Sequence, residues 1–124
     1  MSELIIYTTY FAKLKSLPAD VVPIAICGKS PDWYTGLQYK KLAPKYGFFM
    51  QWKISQDNDY YVRCFKEEVL DKLTVENVIK DIKQLVGNAT KIAFVCYEKP
   101  ADFCHRHLVA CWLRSHGINC EEYN

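Results

Sequence analysis

Hydrophobic residues in this chain fall into short, nearly continuous runs separated by longer segments of mixed polarity. The runs are residues 4–8, 21–27, 92–96 and 118–121. Apolar runs without alternation are typical of strands buried on both faces of a parallel sheet. We therefore expect four strands that lie parallel, the second with a start weakened by Pro23.

Three segments between these runs have helical periodicity. In residues 59–73 apolar side chains recur at four-residue spacing on one face. Residues 75–86 follow an N-cap at Thr74 and carry a broad apolar stripe. A last helix is predicted over residues 102–116, with Asp102 as its N-cap. The last two helices each end at a glycine, which is a normal stop signal.

Residues 28–53 have neither pattern and are predicted to form a long, partly irregular excursion. Loops of this length are uncommon in compact domains and are often functional, so this segment is a candidate wall or lid of a site. In this segment aromatic residues alternate with lysines. Nucleic-acid bases could stack on the aromatic rings, and the lysines could bind phosphates. The residues are Trp33, Tyr34, Tyr39, Tyr46 and Trp52 with Lys40, Lys41, Lys45 and Lys53. The alternative is that most of these rings fill the core beneath the loop.

The alternation of strand and helix patterns predicts an α/β protein, a three-layer domain around a small, mainly parallel sheet. Its 124 residues are enough for one hydrophobic core and too few for two, so we expect a single domain over residues 1–124. The order of the strands in the sheet does not follow from the sequence.

Composition narrows the classes of function. Half of the residues are hydrophobic, and the formal net charge of +2 favours neither a strong polyanion binder nor an acidic tail. The N-terminus lacks a signal-like pattern and no run is long enough to span a membrane, so we expect a cytoplasmic protein with no membrane partner. The 6 cysteines are then expected to be reduced thiols. The oligomeric state is left open.

The segment most able to carry chemistry is residues 91–116. A strand ends at Cys96, a loop follows, and Cys104, His105 and Arg106 fall at the start of a helix. Ligands of α/β sheets bind outside the carboxyl ends of the strands. A helix N-terminus favours an anion, Arg106 can hold one with two hydrogen bonds, and a thiol placed there is shifted towards thiolate.

The residues of this segment resemble a family signature. The resemblance is carried by Cys96-Tyr97-Glu98-Lys99-Pro100 and Cys104-His105-Arg106-His107. It points to the bacterial, archaeal and phage family catalogued as domain of unknown function 488. Residues 7–11 and 31–36 are similar to the opening and the post-strand loop of one subgroup. Many relatives have an arginine after the second strand, where this chain has Lys29 as a substitute. The family implies a site, and no settled activity.

The first functional hypothesis is a cysteine-dependent enzyme acting on an anionic substrate. Its candidate catalytic residues are Cys104, His105, Cys96 and Glu98, with a cysteine as nucleophile and a histidine as base. Its candidate ligand-binding residues are Arg106, His107, Lys29 and Tyr97. A phosphatase-type loop is disfavoured, because Asp102 and Ala110 stand where an arginine would follow Cys96 or Cys104 by six positions.

Two alternatives stay open. Cys96, Cys104, His105 and His107 are donor types that zinc prefers, but no paired Cys-x-x-Cys exists, so we assign no metal and no cofactor. The other alternative is a non-catalytic nucleic-acid or protein interaction module. The expected partner is an anionic small molecule or a nucleic-acid phosphate.

Overall fold

The computed structural model describes residues 4–99 and 101–123. Its centre is a sheet of five parallel strands in the order β3-β2-β4-β1-β5. The strands are β1 (Ile5–Tyr10), β2 (Val21–Ala25), β3 (Leu37–Gln38), β4 (Lys91–Cys96) and β5 (Cys120–Glu122). The four predicted strands are confirmed as parallel, and β3 is an additional short edge strand. The single-domain boundary stays a prediction.

In the described part of the chain, four α-helices and three short 3-10 helices connect the strands. The helices are α1 (Tyr46–Ser55), α2 (Asn58–Glu68), α3 (Val75–Val86) and α4 (His105–Ser115). The 3-10 helices are Phe11–Ser16, Lys40–Leu42 and Leu70–Lys72. The Thr74 hydroxyl accepts a hydrogen bond of 3.2 Å from the Asn77 amide, which confirms the predicted N-cap of α3.

The sheet is covered on both faces, as expected of a three-layer α/β fold. Successive residues after the start of β2 point to opposite sides: Ile24 and Ile26 join the larger core, and Ala25 and Cys27 join the smaller one. The helices supply most of the larger core. Phe11 from the first 3-10 helix closes the smaller core. The predicted fold class is therefore confirmed.

Three local features differ from the sequence predictions. The segment over residues 28–53 is partly irregular as expected, but it also contains β3 and most of a helix, α1, that was not predicted. Helix α1 was not predicted because its apolar residues lie on opposite faces: Phe48 is buried, whereas Tyr46 is 76% exposed. The N-cap of α4 is Cys104 rather than Asp102, which lies in the preceding turn. The helix predicted over residues 59–73 also stops early, and a 3-10 turn finishes it.

Among the described residues no helix has the length and apolarity needed to cross a bilayer. A cytoplasmic location stays a prediction. All 6 cysteines are unbonded, and only Cys111 is exposed. Whether they stay reduced in the cell also stays a prediction.

Candidate active site

A cleft of about 690 Å³ opens at the carboxyl ends of β2 and β4, beside the first turn of α4. These two strands are neighbours in the sheet, so the loops that follow them meet at one edge. The cleft is lined by Cys27, Gly28, Lys29, Pro44, Tyr46, Phe49, Trp52, Lys53, Tyr61, Cys96, Tyr97, Glu98, Phe103, Cys104 and His105. The structure therefore brings six of the eight predicted site residues together.

The floor of the cleft holds two thiols and an imidazole. Cys96 ends β4, Cys104 caps α4, and His105 is the first residue of that helix. One donor atom from each of these side chains lies within 4.8 Å of the others. All three residues are buried, so their mutual interactions are weakly screened by solvent.

Hydrogen bonds fix the orientation of His105. Its Nε2 lies 2.6 Å from the carbonyl oxygen of Ile26, which can only accept, so Nε2 carries a proton and donates it. Its Nδ1 is then the atom that faces the Cys96 sulfur, at 3.4 Å. The imidazole is held by the backbone just beyond β2 and presents one nitrogen to the thiols.

The two thiols differ in their acidity. The neighbouring Cys96 thiol, aided by His105, holds the pKa of Cys104 well below its ordinary range in spite of burial. The proximity of Cys104, together with burial, raises the pKa of Cys96. Cys104 is therefore the more acidic thiol of the two, and Cys96 is the one that keeps its proton. The N-terminal end of α4 favours the negative charge at the same position.

Glu98 lies in the loop after β4, on the wall of the cleft near Cys104. Burial raises the pKa of this carboxyl, and the charge of the Cys104 sulfur raises it further. A carboxyl with a raised pKa beside a thiol of low pKa is a suitable candidate for a general acid.

Arg106 does not line the cleft, although the sequence suggested that it binds the anion. Its side chain is completely buried and pairs with Glu122 of β5. Nη2 donates to Oε2 of Glu122 at 2.8 Å, Nε donates to Oε1 at 3.2 Å, and Nη1 donates to the Glu98 carbonyl at 2.6 Å. Each of the three guanidinium nitrogens thus donates a hydrogen bond within the protein, and the placement of Arg106 lends no support to anion binding.

Of the other three predicted ligand-binding residues, two line the cleft and one does not. Lys29 and Tyr97 line the cleft, and the Tyr97 hydroxyl donates to the Lys29 carbonyl, joining the two loops. His107 is not among the lining residues, and its Nε2 is buried with no hydrogen-bond partner in the described part of the chain.

Sequence reasoning missed part of the lining. Cys27 lies two residues beyond the end of β2, whereas Cys96 ends β4, and this nearness to a strand end was the available signal. Tyr61 and Phe103 also line the cleft. Tyr61 belongs to the apolar face predicted for residues 59–73, and on such a face a residue that lines a cleft and a residue of the core give the same pattern.

The three donors at the floor also have the separation needed to hold one metal ion. The Sγ atoms of Cys96 and Cys104 and the Nδ1 of His105 are ligand types that zinc prefers. A histidine that binds a metal usually donates its other ring N–H to a carboxylate or a backbone carbonyl, as His105 Nε2 does to Ile26. The geometry therefore fits either a thiolate nucleophile or a metal.

Comparison with protein families places this geometry in a known group. Residues 10–117 match the family model described as "Active DUF488-N3 subclade". Comparisons with curated proteins and with solved structures give no significant match. The matched segment includes the cleft and covers most of the chain, so the protein belongs to the DUF488 family of unknown function, within its DUF488-N3 subclade.

Proposed function

We propose that the protein is a cysteine-dependent enzyme that binds an anionic substrate in the cleft and attacks it with Cys104. The observation that carries this proposal is the position of Cys104: a thiol of lowered pKa at a helix N-terminus, at the floor of a cleft and beside a second thiol. The thiolate is the reactive form of cysteine, and a low pKa keeps it populated at neutral pH.

Each neighbouring side chain has a role in this scheme. The Cys104 sulfur forms a bond to an electrophilic atom of the substrate while the bond from that atom to the leaving group breaks. Glu98 donates its proton to the leaving group. Cys96 stabilises the thiolate before attack, and His105 orients Cys96 through Nδ1. Lys29 and Lys53 at the cleft attract the anion.

Alkylation by iodoacetamide as a function of pH tests the proposal. Mass spectrometry of the folded protein reports the rate at each cysteine, with N-acetylcysteine in the same buffer as the reference thiol. At pH values below its pKa, an ordinary thiol loses about tenfold of its thiolate fraction for each unit by which the pH falls. We expect the rate at Cys104 to change little between pH 6 and 8, while the reference falls steeply.

Variants test whether the reactivity of Cys104 depends on Cys96. Cys96→Ala removes the neighbouring thiol and should slow Cys104 labelling at pH 6 by at least about tenfold. Cys64→Ala is the matched control, because Cys64 is buried outside the cleft. A Cys104 that stays unlabelled until the protein is unfolded would overturn the enzymatic proposal and leave a binding module.

A metal site is the second candidate, favoured by the donor separation at the floor. A metal bound by Cys96, Cys104 and His105 would block alkylation until a chelator is added. Labelling that is equally fast with and without chelator excludes this candidate; labelling that appears only after chelation, with zinc released in proportion to protein, establishes it.

A further inference from the structure

One wall of the cleft is a cluster of aromatic rings. Phe49 and Trp52 come from α1, and Phe103 comes from the turn before α4. The planes of Phe49 and Trp52 differ by 28°, and those of Trp52 and Phe103 by 33°. The three rings are only partly buried and line the cleft, so part of their surface is open to a ligand.

The central ring of this wall is fixed in place. The Trp52 indole N–H donates to the Asn58 side-chain oxygen at 2.8 Å, and Tyr61 packs edge-on against the indole at 5.4 Å between centroids. A ring held in this way loses little conformational entropy when a ligand stacks on it. Such a wall suits a planar heteroaromatic group better than a flexible aliphatic one.

The charge beside this wall is positive. Between Asp32 and Asp57 the sequence has no acidic residue. Lys53 and Lys29 both line the cleft, and neither forms an ion pair within the described residues. Lys53 Nζ lies 5.2 Å from the centre of the Phe49 ring, which places a cation directly beside the stacking surface.

A ligand that fits both the aromatic wall and the neighbouring lysines has a flat ring and an anionic group a few bonds apart. We propose that the substrate of the cleft is a nucleotide, with its base against Trp52 and its phosphate at Lys53 and Lys29. This inference rests on the proposed function for the use of the cleft and adds the class of substrate. A volume of about 690 Å³ is within the range of small-molecule sites and accommodates a mononucleotide.

Equilibrium binding to the intact protein tests the inference. Calorimetry would compare AMP and UMP with adenosine, ribose 5-phosphate and inorganic phosphate, and with a short single-stranded oligonucleotide. We expect the mononucleotides to bind at least tenfold more tightly than ribose 5-phosphate or phosphate, which lack the base, and adenosine to bind more weakly than AMP. Tighter binding of the oligonucleotide would identify a strand as the source of the same base and phosphate.

Variants tie binding to the wall. Trp52→Leu should weaken AMP binding about tenfold, and Trp52→Phe, which keeps a ring, should weaken it less. Trp33→Leu is the matched control, because Trp33 is 62% exposed and lies outside the cleft. Equal affinity for AMP and ribose 5-phosphate, or an unchanged affinity in Trp52→Leu, would overturn the inference.

The enzymatic proposal and the nucleotide proposal can be refuted independently of each other. If Cys104 labels as a thiolate but no nucleotide binds or slows its alkylation, the enzymatic proposal survives and the nucleotide is wrong. If nucleotides bind through Trp52 but Cys104 is inert, the substrate class is correct for a binding module and the nucleophile is wrong.

Discussion

Removing the carboxylate of Glu122 tests the buried ion pair that holds the start of α4. Glu122→Ala leaves the guanidinium of Arg106 inside the protein with one remaining acceptor, the Glu98 carbonyl. The side chain of Arg106 is 0% exposed and that of Glu122 is 18% exposed, so little water can replace the lost partner. Breaking a buried ion pair by removing one partner costs about 3–5 kcal/mol.

Local details place the expected value within this range. The Thr8 hydroxyl, which donates to the Glu122 carboxylate at 2.7 Å, loses its acceptor as well, at a cost of about 1 kcal/mol. Partial exposure of Glu122 works in the opposite direction, because water reaches the vacated space. We expect the free energy of unfolding to fall by about 3–4 kcal/mol.

Urea unfolding at pH 7 measures this change as a lower midpoint with an unchanged slope. Glu121→Ala is the matched control, since it removes an exposed carboxylate from the neighbouring position of β5 and should change stability by less than about 0.5 kcal/mol. In an Arg106→Met background, Glu122→Ala should cost much less, because the stranded charge is already absent.

One result would refute this interpretation. If Glu122→Ala lowers stability by less than about 1 kcal/mol while Arg106→Met abolishes the protection that phosphate gives against unfolding, then Arg106 acts on a ligand. The hypothesis drawn from the sequence, in which Arg106 holds an anion, would replace the structural role.

Three further predictions concern local features of the structure. Thr74→Ala removes the cap of α3 and should cost about 1 kcal/mol in urea unfolding; no change would show that the cap is dispensable. Gly117 has a φ of +82°, so Gly117→Ala should destabilise by about 1 kcal/mol, whereas Gly47→Ala inside α1 should not. The raised pKa of Glu98 means that its protonated form stabilises the fold at low pH, and this contribution is lost as pH rises through that pKa. The free energy of unfolding of Glu98→Gln, relative to that of the wild type, should therefore increase from pH 4 to pH 7.5. If the difference between the two proteins is the same at both pH values, the pKa of Glu98 is not raised.

The strands were predictable because burial on both faces leaves a direct mark on the sequence. Residues Ile92 to Cys96 are all buried, and the run is apolar throughout. Helix α1 was not predictable from periodicity. Met50 and Ile54 are exposed on a helix whose Phe48 is buried, so apolar residues occupy opposite faces and no stripe appears.

The site was predictable in its location and only partly in its roles. Cys96 and Cys104 were recognised because one ends a buried strand and the other begins a helix. The partner of Arg106 was not recognisable, since Glu122 lies on a strand whose place beside β1 depends on the strand order. The sequence does not contain that order in a form that pattern analysis can extract.

The Cys-His-Arg sequence at the start of α4 therefore combines two tasks. Cys104 and His105 face the cleft, while Arg106 points away from it and joins β5 to the loop that carries Glu98. Because its two partners lie on different segments, Arg106 fixes the helix start relative to the proposed general acid. A substitution there should change the alkylation rate of Cys104 through altered positions of Cys104 and Glu98, even where no ligand is bound. The arginine is then a positioning residue, which explains why it directly follows two residues that line the cleft while lying outside the cleft itself.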